Sequence, residues 1–419
     1  MKRQLILTIS LAAALLVLSQ SLSAIPAFAR KHSFNCNMCH VGYPKLNDWG
    51  QRFRDNGYQV PGQEGMEKTV FQTAVPLAIR TTAGGTLYSN SQGTTTGFHL
   101  YGLDMLAGGV LHKNISFLFI YTPRIDEPSA DYTGSGGGSN PAQLAALESA
   151  NLVFSNLIQD KLNLRIGRFE PAFQLLSAKR LYYILAPYEL CGFRGSLNGF
   201  DFSANQLGIE ATGRFKPGIK YALGYINGSG GDPDNSTFKD VYFAVSKTFG
   251  QGEGQTAGHR VGVFAYLGWQ PTNFTGTIVS PVGDINGTEN KSFYRLGGDA
   301  SLNWKTFNLL GMAFGGVDNR AFNDVDPTLD YKFWGGAAEL DWAGLPDNRL
   351  VGSLLYNWVR PPSYNPVHRI DAYSALVRYY LGSWSAVDVA IHAEFTHRRS
   401  GSAGQIKENL FTLLLDFAF

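Results

Sequence analysis

Five residues carry the clearest chemistry in this chain: Cys36-Asn37-Met38-Cys39-His40. Cys-x-x-Cys-His is the attachment spacing of a c-type haem. Two thiols at that spacing reach the two vinyl groups of one porphyrin, and the next residue brings an imidazole to the iron. The residues expected to bind are therefore Cys36 and Cys39 as thioethers and His40 as the proximal iron ligand, with one covalent haem c as cofactor. Paired cysteines have two other common uses. A zinc site needs a second ligand pair at finger spacing, and the only further cysteine is Cys191, which reads as a buried or incidental thiol. A thioredoxin-like pair needs a βαβ setting, which the flanking sequence lacks. The sixth ligand stays open. His32 lies just before the motif and Met66 lies 26 residues past His40; a residue from further along the chain or an open position are the other choices.

Little local structure is available to hold such a group. After Val41-Gly42-Tyr43-Pro44, a turn, Leu46, Trp49 and Phe53 recur at i, i+3 and i+7, which predicts one short helix within Lys45 to Gly57. Asn56-Gly57 ends it and Pro61-Gly62 follows as a turn. The segment 30–70 is at the edge of what folds alone, even with a covalent cofactor. It cannot enclose a porphyrin by itself, so the rest of the chain must shield it.

Upstream, Lys2 and Arg3, the apolar run Leu5 to Leu18 and Ala27-Phe28-Ala29 read as a secretory leader, 1–29, with Ser21 to Ala24 as an alternative cleavage site. No later apolar run reaches the ~18 residues of a spanning helix. Formal charge is +2, so nothing points to a nucleic-acid partner. Charged residues are only 16% while aromatics are 13% and Gly numbers 48, which suits strands with lipid on one side.

Residues 71–419 read as that wall: an all-β, porin-like outer-membrane β-barrel of about sixteen strands. In Ser385 to His397, Val387, Val389, Ile391, Ala393 and Phe395 share one face, and Asp388, Ala390, His392, Glu394 and Thr396 the other. Lys291 to Trp304 and Asp160 to Phe169 alternate in the same way. Trp304, Trp342, Trp358, Tyr379 and Tyr380 stand at strand ends and suit interface girdles. Phe411, Leu413, Leu415, Phe417 and Phe419 line one face of the last strand, and Asn409, Thr412 and Asp416 are read off it. The longest connections are Ile125 to Ala146, with its flexible Gly134 to Gly138, then Glu170 to Asn198, Gln270 to Asn290 and Asp318 to Leu329. The second is too apolar for a solvated loop and is expected to fold into the lumen. Inward positions offer Asp299, Glu339, Asp341, Asp388, His392, Glu394 and Asp416 against Arg165, Arg295 and Arg378. Such a set could steer a divalent cation, although mixed charge lines most porin interiors. An apolar band about 25 Å tall is too thick for one haem to serve from a free periplasmic domain. The haem segment is therefore expected inside the barrel or at its mouth.

The combination resembles the fused monohaem cytochrome–porins, the outer-membrane iron(II) oxidases. The likeness is densest over Pro26-Ala27-Phe28-Ala29-Arg30-Lys31, the haem motif, and Tyr43-Pro44-Lys45-Leu46-Asn47; over the barrel it is architectural. The resemblance implies an iron(II):cytochrome oxidoreductase in the bacterial cell outer membrane. Its partners would be extracellular Fe(II) or another redox substrate, a soluble periplasmic cytochrome or other electron carrier, and outer-membrane lipid. Electron export to an extracellular acceptor and a solute-transport porin with an accessory haem are the alternatives.

Overall fold

The computed structural model describes residues 27–32, 34, 38–42, 44–73, 75–123, 146–172, 181–230, 234, 236–250, 258–272, 290–384 and 387–418. Residues 1–26, Cys36, residues 173–180, Phe419 and the stretches 124–145 and 273–289 lie outside the described residues, and with them all of the leader but Ala27-Phe28-Ala29, Gly134 to Gly138, and the cysteine-pair geometry.

Sixteen strands close into one barrel, each antiparallel to its neighbours in chain order, with the last joined to the first. In order they are β1 (Leu77–Asn90), β2 (Gly93–His112), β3 (Ile115–Thr122), β4 (Ala146–Phe154), β5 (Asn163–Phe169), β6 (Gln206–Phe215), β7 (Ile219–Ile226) and β8 (Asp240–Phe249). They continue with β9 (His259–Pro271), β10 (Asn290–Trp304), β11 (Phe307–Asp318), β12 (Tyr331–Gly344), β13 (Leu350–Arg360), β14 (Ile370–Trp384), β15 (Val387–Ser400) and β16 (Ile406–Ala418). Closure is what makes such a wall possible in lipid, because every backbone donor and acceptor finds a neighbouring strand and no edge is left. Among the described residues no helix is long and apolar enough to cross a membrane; the strands do the crossing.

Period-2 alternation decides which side each residue faces. On β16, Phe411, Leu413 and Leu415 are exposed to the outside, whereas Leu410, Thr412, Leu414 and Asp416 are buried inward. Asn409 shares the parity of Phe411 and so lies on the outward face, contrary to the sequence expectation. Tyr379 and Tyr380 cannot both join a girdle, because consecutive residues point to opposite faces. Tyr379 is exposed, and Tyr380 turns inward under the Arg378 guanidinium, 5.2 Å from its ring centre.

The connections also alternate. One end has tight turns such as 305–306 and 216–218, where Gly218 takes φ +77°. The other carries the longer loops, 170–205 among them. In barrels of this kind the short turns face the periplasm and the long loops the exterior. The chain enters β1 at the short-turn end.

Replacing Leu413 by Arg on the lipid face is expected to cost about 2–4 kcal/mol near the bilayer midplane. Urea titration of the refolded barrel in liposomes would show this as a lower midpoint, and an unchanged midpoint would place Leu413 in the lumen.

Candidate functional site

The haem-motif segment is built around a single helix. The helix predicted within Lys45 to Gly57 is shorter than expected. Helix α2 covers Asp48–Asp55, because Lys45–Leu46 pair as a two-residue strand with His40–Gly42. Asn47 then caps the helix: its Oδ1 accepts the Gly50 N–H at 2.8 Å, relieving one of the orphan amides of a helix start. The same side chain donates to the Met38 carbonyl at 3.0 Å, and its backbone N–H donates to the Cys39 carbonyl at 2.9 Å. One residue thus ties the motif to the helix. Gly50 lets the two touch, since a side chain there would collide with the Cys39 carbonyl oxygen. Gly57 (φ +69°) ends the helix, with Tyr58 N–H returning to the Phe53 carbonyl at 2.8 Å and Gly57 N–H to Arg54 at 3.1 Å, the paired bonds of a Schellman stop.

Around α2 lies an aromatic cluster. Helix α1 (Ala27–His32) brings Phe28 flat against Tyr58, with centroids 4.8 Å apart, and edge-on to Phe53 at 5.4 Å. His32, Phe34 and Trp49 complete it. A cut after Ala24 keeps Phe28 in this cluster, and a cut after Ala29 removes it. Burial pushes the Cys39 thiol up to about 12. The apolar cluster and the donors Cys39 and His40 beside α2 suit a large, flat, apolar group with a ligated metal.

This segment sits within the short-turn mouth of the barrel, touching inward side chains on several walls. Gln51 Oε1 accepts from Arg260 on β9 at 2.7 Å, and Gln59 donates to Ser155 at 3.1 Å. Asp55 meets Lys220 on β7 at 2.5 Å and Arg214 on β6 at 3.4 Å. On the facing side Lys45 reaches Glu339 at 3.0 Å and also pairs with Asp341, both on β12. The mouth is therefore polarised, basic on β6, β7 and β9 and acidic on β12, and the segment offers each wall its opposite charge. Burial alone would lower the Lys45 ammonium pKa, but Asp341 and Glu339 outweigh it and raise it. Burial would raise the Asp55 carboxyl, but Lys220, Arg54 and Arg214 hold it well below its usual range.

From the exterior side residues 181–205 of the connection after β5 lie in the lumen, as the apolar content of that connection predicts. Glu394 accepts the N–H groups of Ile184 at 2.9 Å and Ala186 at 2.6 Å. Tyr188 donates to Glu339, Glu189 pairs with Arg398 at 2.9 Å, and Ser196 and Asn198 donate to Asp318 at 2.6 and 2.8 Å. Tyr182, Tyr188, Leu190, Cys191, Phe200 and Phe202 are buried with wall aromatics, and Lys45 lies 5.2 Å from the Tyr182 ring centre. The inner loop and the motif segment meet in the lumen.

The inward charges singled out from the sequence thus have construction roles. Asp416 holds Arg80 at 3.0 Å, Arg378 and Thr82; Arg165 holds Glu210 at 3.3 Å; Arg295 holds Asp318 at 2.7 Å; His392 holds Glu394 at 2.9 Å. Asp299 lines a recess with Arg260 and Lys220, and the side chain of Asp388 lies outside the described residues. Among the described residues no three His, Cys, Asp or Glu groups are arranged to hold a metal ion. Met66 is 80% exposed, outside the aromatic cluster. The docking partners Arg214, Lys220 and Arg260 escaped sequence reasoning, because a basic residue at a lumen parity looks the same whether it faces water or a buried acid.

No protein-family model and no curated protein matches the chain. Among solved structures its fold is similar to three porins. The anion-selective porin from Comamonas acidovorans aligns with TM-score 0.52 at 13% identity, over 83% of this chain and 99% of that one. The outer membrane channel DcaP of Acinetobacter baumannii gives 0.53 at 9%, over 82% and 97%. Salmonella typhi OmpF, solved in complex with daunomycin, gives 0.52 at 12%, over 82% and 97%. These likenesses are of fold. Together with the closed sixteen-stranded wall, they make the chain a porin-fold β-barrel of the bacterial outer membrane.

Lys45→Ala strands Glu339 and Asp341 as buried neighbouring carboxylates, and removing one partner of a buried pair costs about 3–5 kcal/mol. Protease is expected to cut the 30–70 segment of this variant in detergent while the barrel stays heat-modifiable; equal resistance to wild type would dismiss the ion cluster as the anchor. Asp55 gives a pH signature. Its folded pKa lies below the ordinary 3.8, so its contribution is complete above that value and is lost as pH falls below it. Trp49 fluorescence should therefore stay constant from pH 7 to 5 and change only below about pH 4, and Asp55→Asn should remove that acid transition.

Proposed function

We propose that the chain is an outer-membrane electron-transfer barrel that oxidises extracellular Fe(II) and passes the electron to a soluble periplasmic carrier, with one c-type haem held by Cys36, Cys39 and His40. Each Fe(II) loses one electron to become Fe(III), and the oxidised carrier gains one. A haem bound at these residues supplies a one-electron centre at the periplasmic mouth. The observation that carries the reading is the docking of the motif segment: Lys45, Gln51, Asp55 and Gln59 hold it against several walls of the lumen instead of leaving it to hang free.

The chain's own residues do the rest. Asn47 and Gly50 fix the motif on α2, and Phe34, Trp49, Phe53 and Tyr58 keep water from it. The inner loop narrows the solute path. At the long-loop end, the connection after β11 carries Asp324, Asp326 and Asp330 against the single cation Arg320, a field that draws cations. The competing reading, a solute-passing porin with an accessory haem, is favoured by the porin fold of the structural neighbours. Electron export to an extracellular acceptor differs only in direction.

Fe(II) added to the purified protein is expected to raise the reduced α-band, and His40→Ala to abolish that response in an assembled barrel. Planar-bilayer recordings should show conductance well below that of a water-filled barrel of this strand number. A haem left oxidised by Fe(II) at working pH overturns the reading; with a large open conductance, the solute porin replaces it.

A further inference from the structure

We infer that His32 is the second axial ligand of the iron, an assignment that rests on the haem reading above. Its ring closes α1 and its side chain is only 10% exposed. It stacks on Phe34 with centroids 5.2 Å apart and interplanar angle 17°, and meets Phe53 edge-on at 5.6 Å. Within that cage Nε2 is fully enclosed and, among the described residues, makes no hydrogen bond. The Glu67 Oε2 atom stands 3.7 Å away, beyond hydrogen-bond reach. That carboxylate is already committed, Oε2 to the Lys31 ammonium at 2.6 Å and Oε1 to the Val60 N–H at 2.9 Å. A buried polar atom without a partner is costly, and native interiors rarely leave one. A dative bond from the Nε2 lone pair to iron removes that cost and consumes no proton or electron.

Placement supports the same assignment. The proximal motif rests on α2 at Gly50, and His32 rests on α2 at Phe53. Three residues of helix rise about 4.5 Å, so the two imidazole-bearing strands of chain cross the same helix within one turn. Phe34, edge-on to Trp49 at 5.4 Å, lies between them in sequence and lines the same apolar slot. The other candidates fit less well. Met66 is 80% exposed. His392 also encloses an unpaired nitrogen, Nδ1, but it belongs to β15 and is bound through Nε2 to Glu394, the acid that anchors the inner loop.

The test reads spin state and uses the full-length haem-loaded protein in detergent, with haem stain and heat-modifiability run on every sample. Wild type is expected to be low-spin and six-coordinate in absorption and EPR. His32→Ala should lose the low-spin signal with haem content and barrel unchanged, and added imidazole should restore it. His32→Met, which keeps a donor and a similar volume, should stay low-spin and shift to higher potential, as a Met/His pair does. Met66→Ala should change nothing. A His32→Ala protein that keeps the low-spin spectrum with full haem content overturns the assignment and leaves the haem reading standing. A wild-type protein that carries no covalent haem overturns both.

Discussion

A single buried acid cluster joins the three parts of this molecule. Glu339 on the barrel wall accepts Lys45 from the motif segment and Tyr188 from the inner loop, with Asp341 beside it on the same strand face. Glu339 and Asp341 lie two residues apart on one strand face and are both buried, and adjacent buried carboxylates need a cation beside them. Lys45 supplies that cation, and only when the segment is docked. The wall is thus electrostatically incomplete without the segment. The segment is in turn too small to bury its own aromatics without the wall, where Phe53 and Tyr58 pack with Leu118, Leu106 and Ile120 of the barrel. Each half supplies what the other lacks.

The opposite side of the mouth repeats the logic with reversed sign. Asp55 enters a cluster of Lys220, Arg214 and Arg54, and Arg54 reaches Glu170 at the root of the inner loop at 3.7 Å. A transverse arrangement of charge orients whatever enters it. Here what enters is the chain's own N-terminal segment, which can dock in one orientation only: a reversed helix would set Asp55 against Glu339 and Lys45 against Lys220. The specificity of the docking comes from this repulsion as much as from the pairs formed.

How much of this was legible in the sequence follows from the range of each interaction. Strands are local patterns, so the alternation in 385–397 marked the correct lumen face of β15, and His392 and Glu394 are indeed buried there. The stop at Asn56-Gly57 was legible because a positive-φ residue after a helix has a residue-type signature. The start was misplaced, since Leu46 fits a helical stripe but is captured by strand pairing with His40. Tyr380 was misassigned because aromatic type was weighed above parity. That the segment sits at the barrel mouth was legible from its size, but the residues that dock it were not. Lys45 and Glu339 are 294 positions apart, and no local pattern distinguishes a lumen carboxylate that binds a cation from one that anchors a lysine.

That separation also orders assembly. Contacts between residues distant in sequence form late, because the loop they close must be ordered first. The partners of the motif segment lie on β3, β4, β6, β7, β9 and β12, so its seat does not exist until most of the wall has formed. Cys39 and His40 are therefore still exposed while the wall forms, and docking afterwards closes them against α2 and the lumen. The placement at the short-turn end has a second consequence. The motif segment occupies the short-turn end, whereas the inner loop is pinned inside the lumen by Glu394, Glu339 and Asp318. The two ends of the barrel are therefore unequal by construction: one carries the motif segment and the other the inner loop.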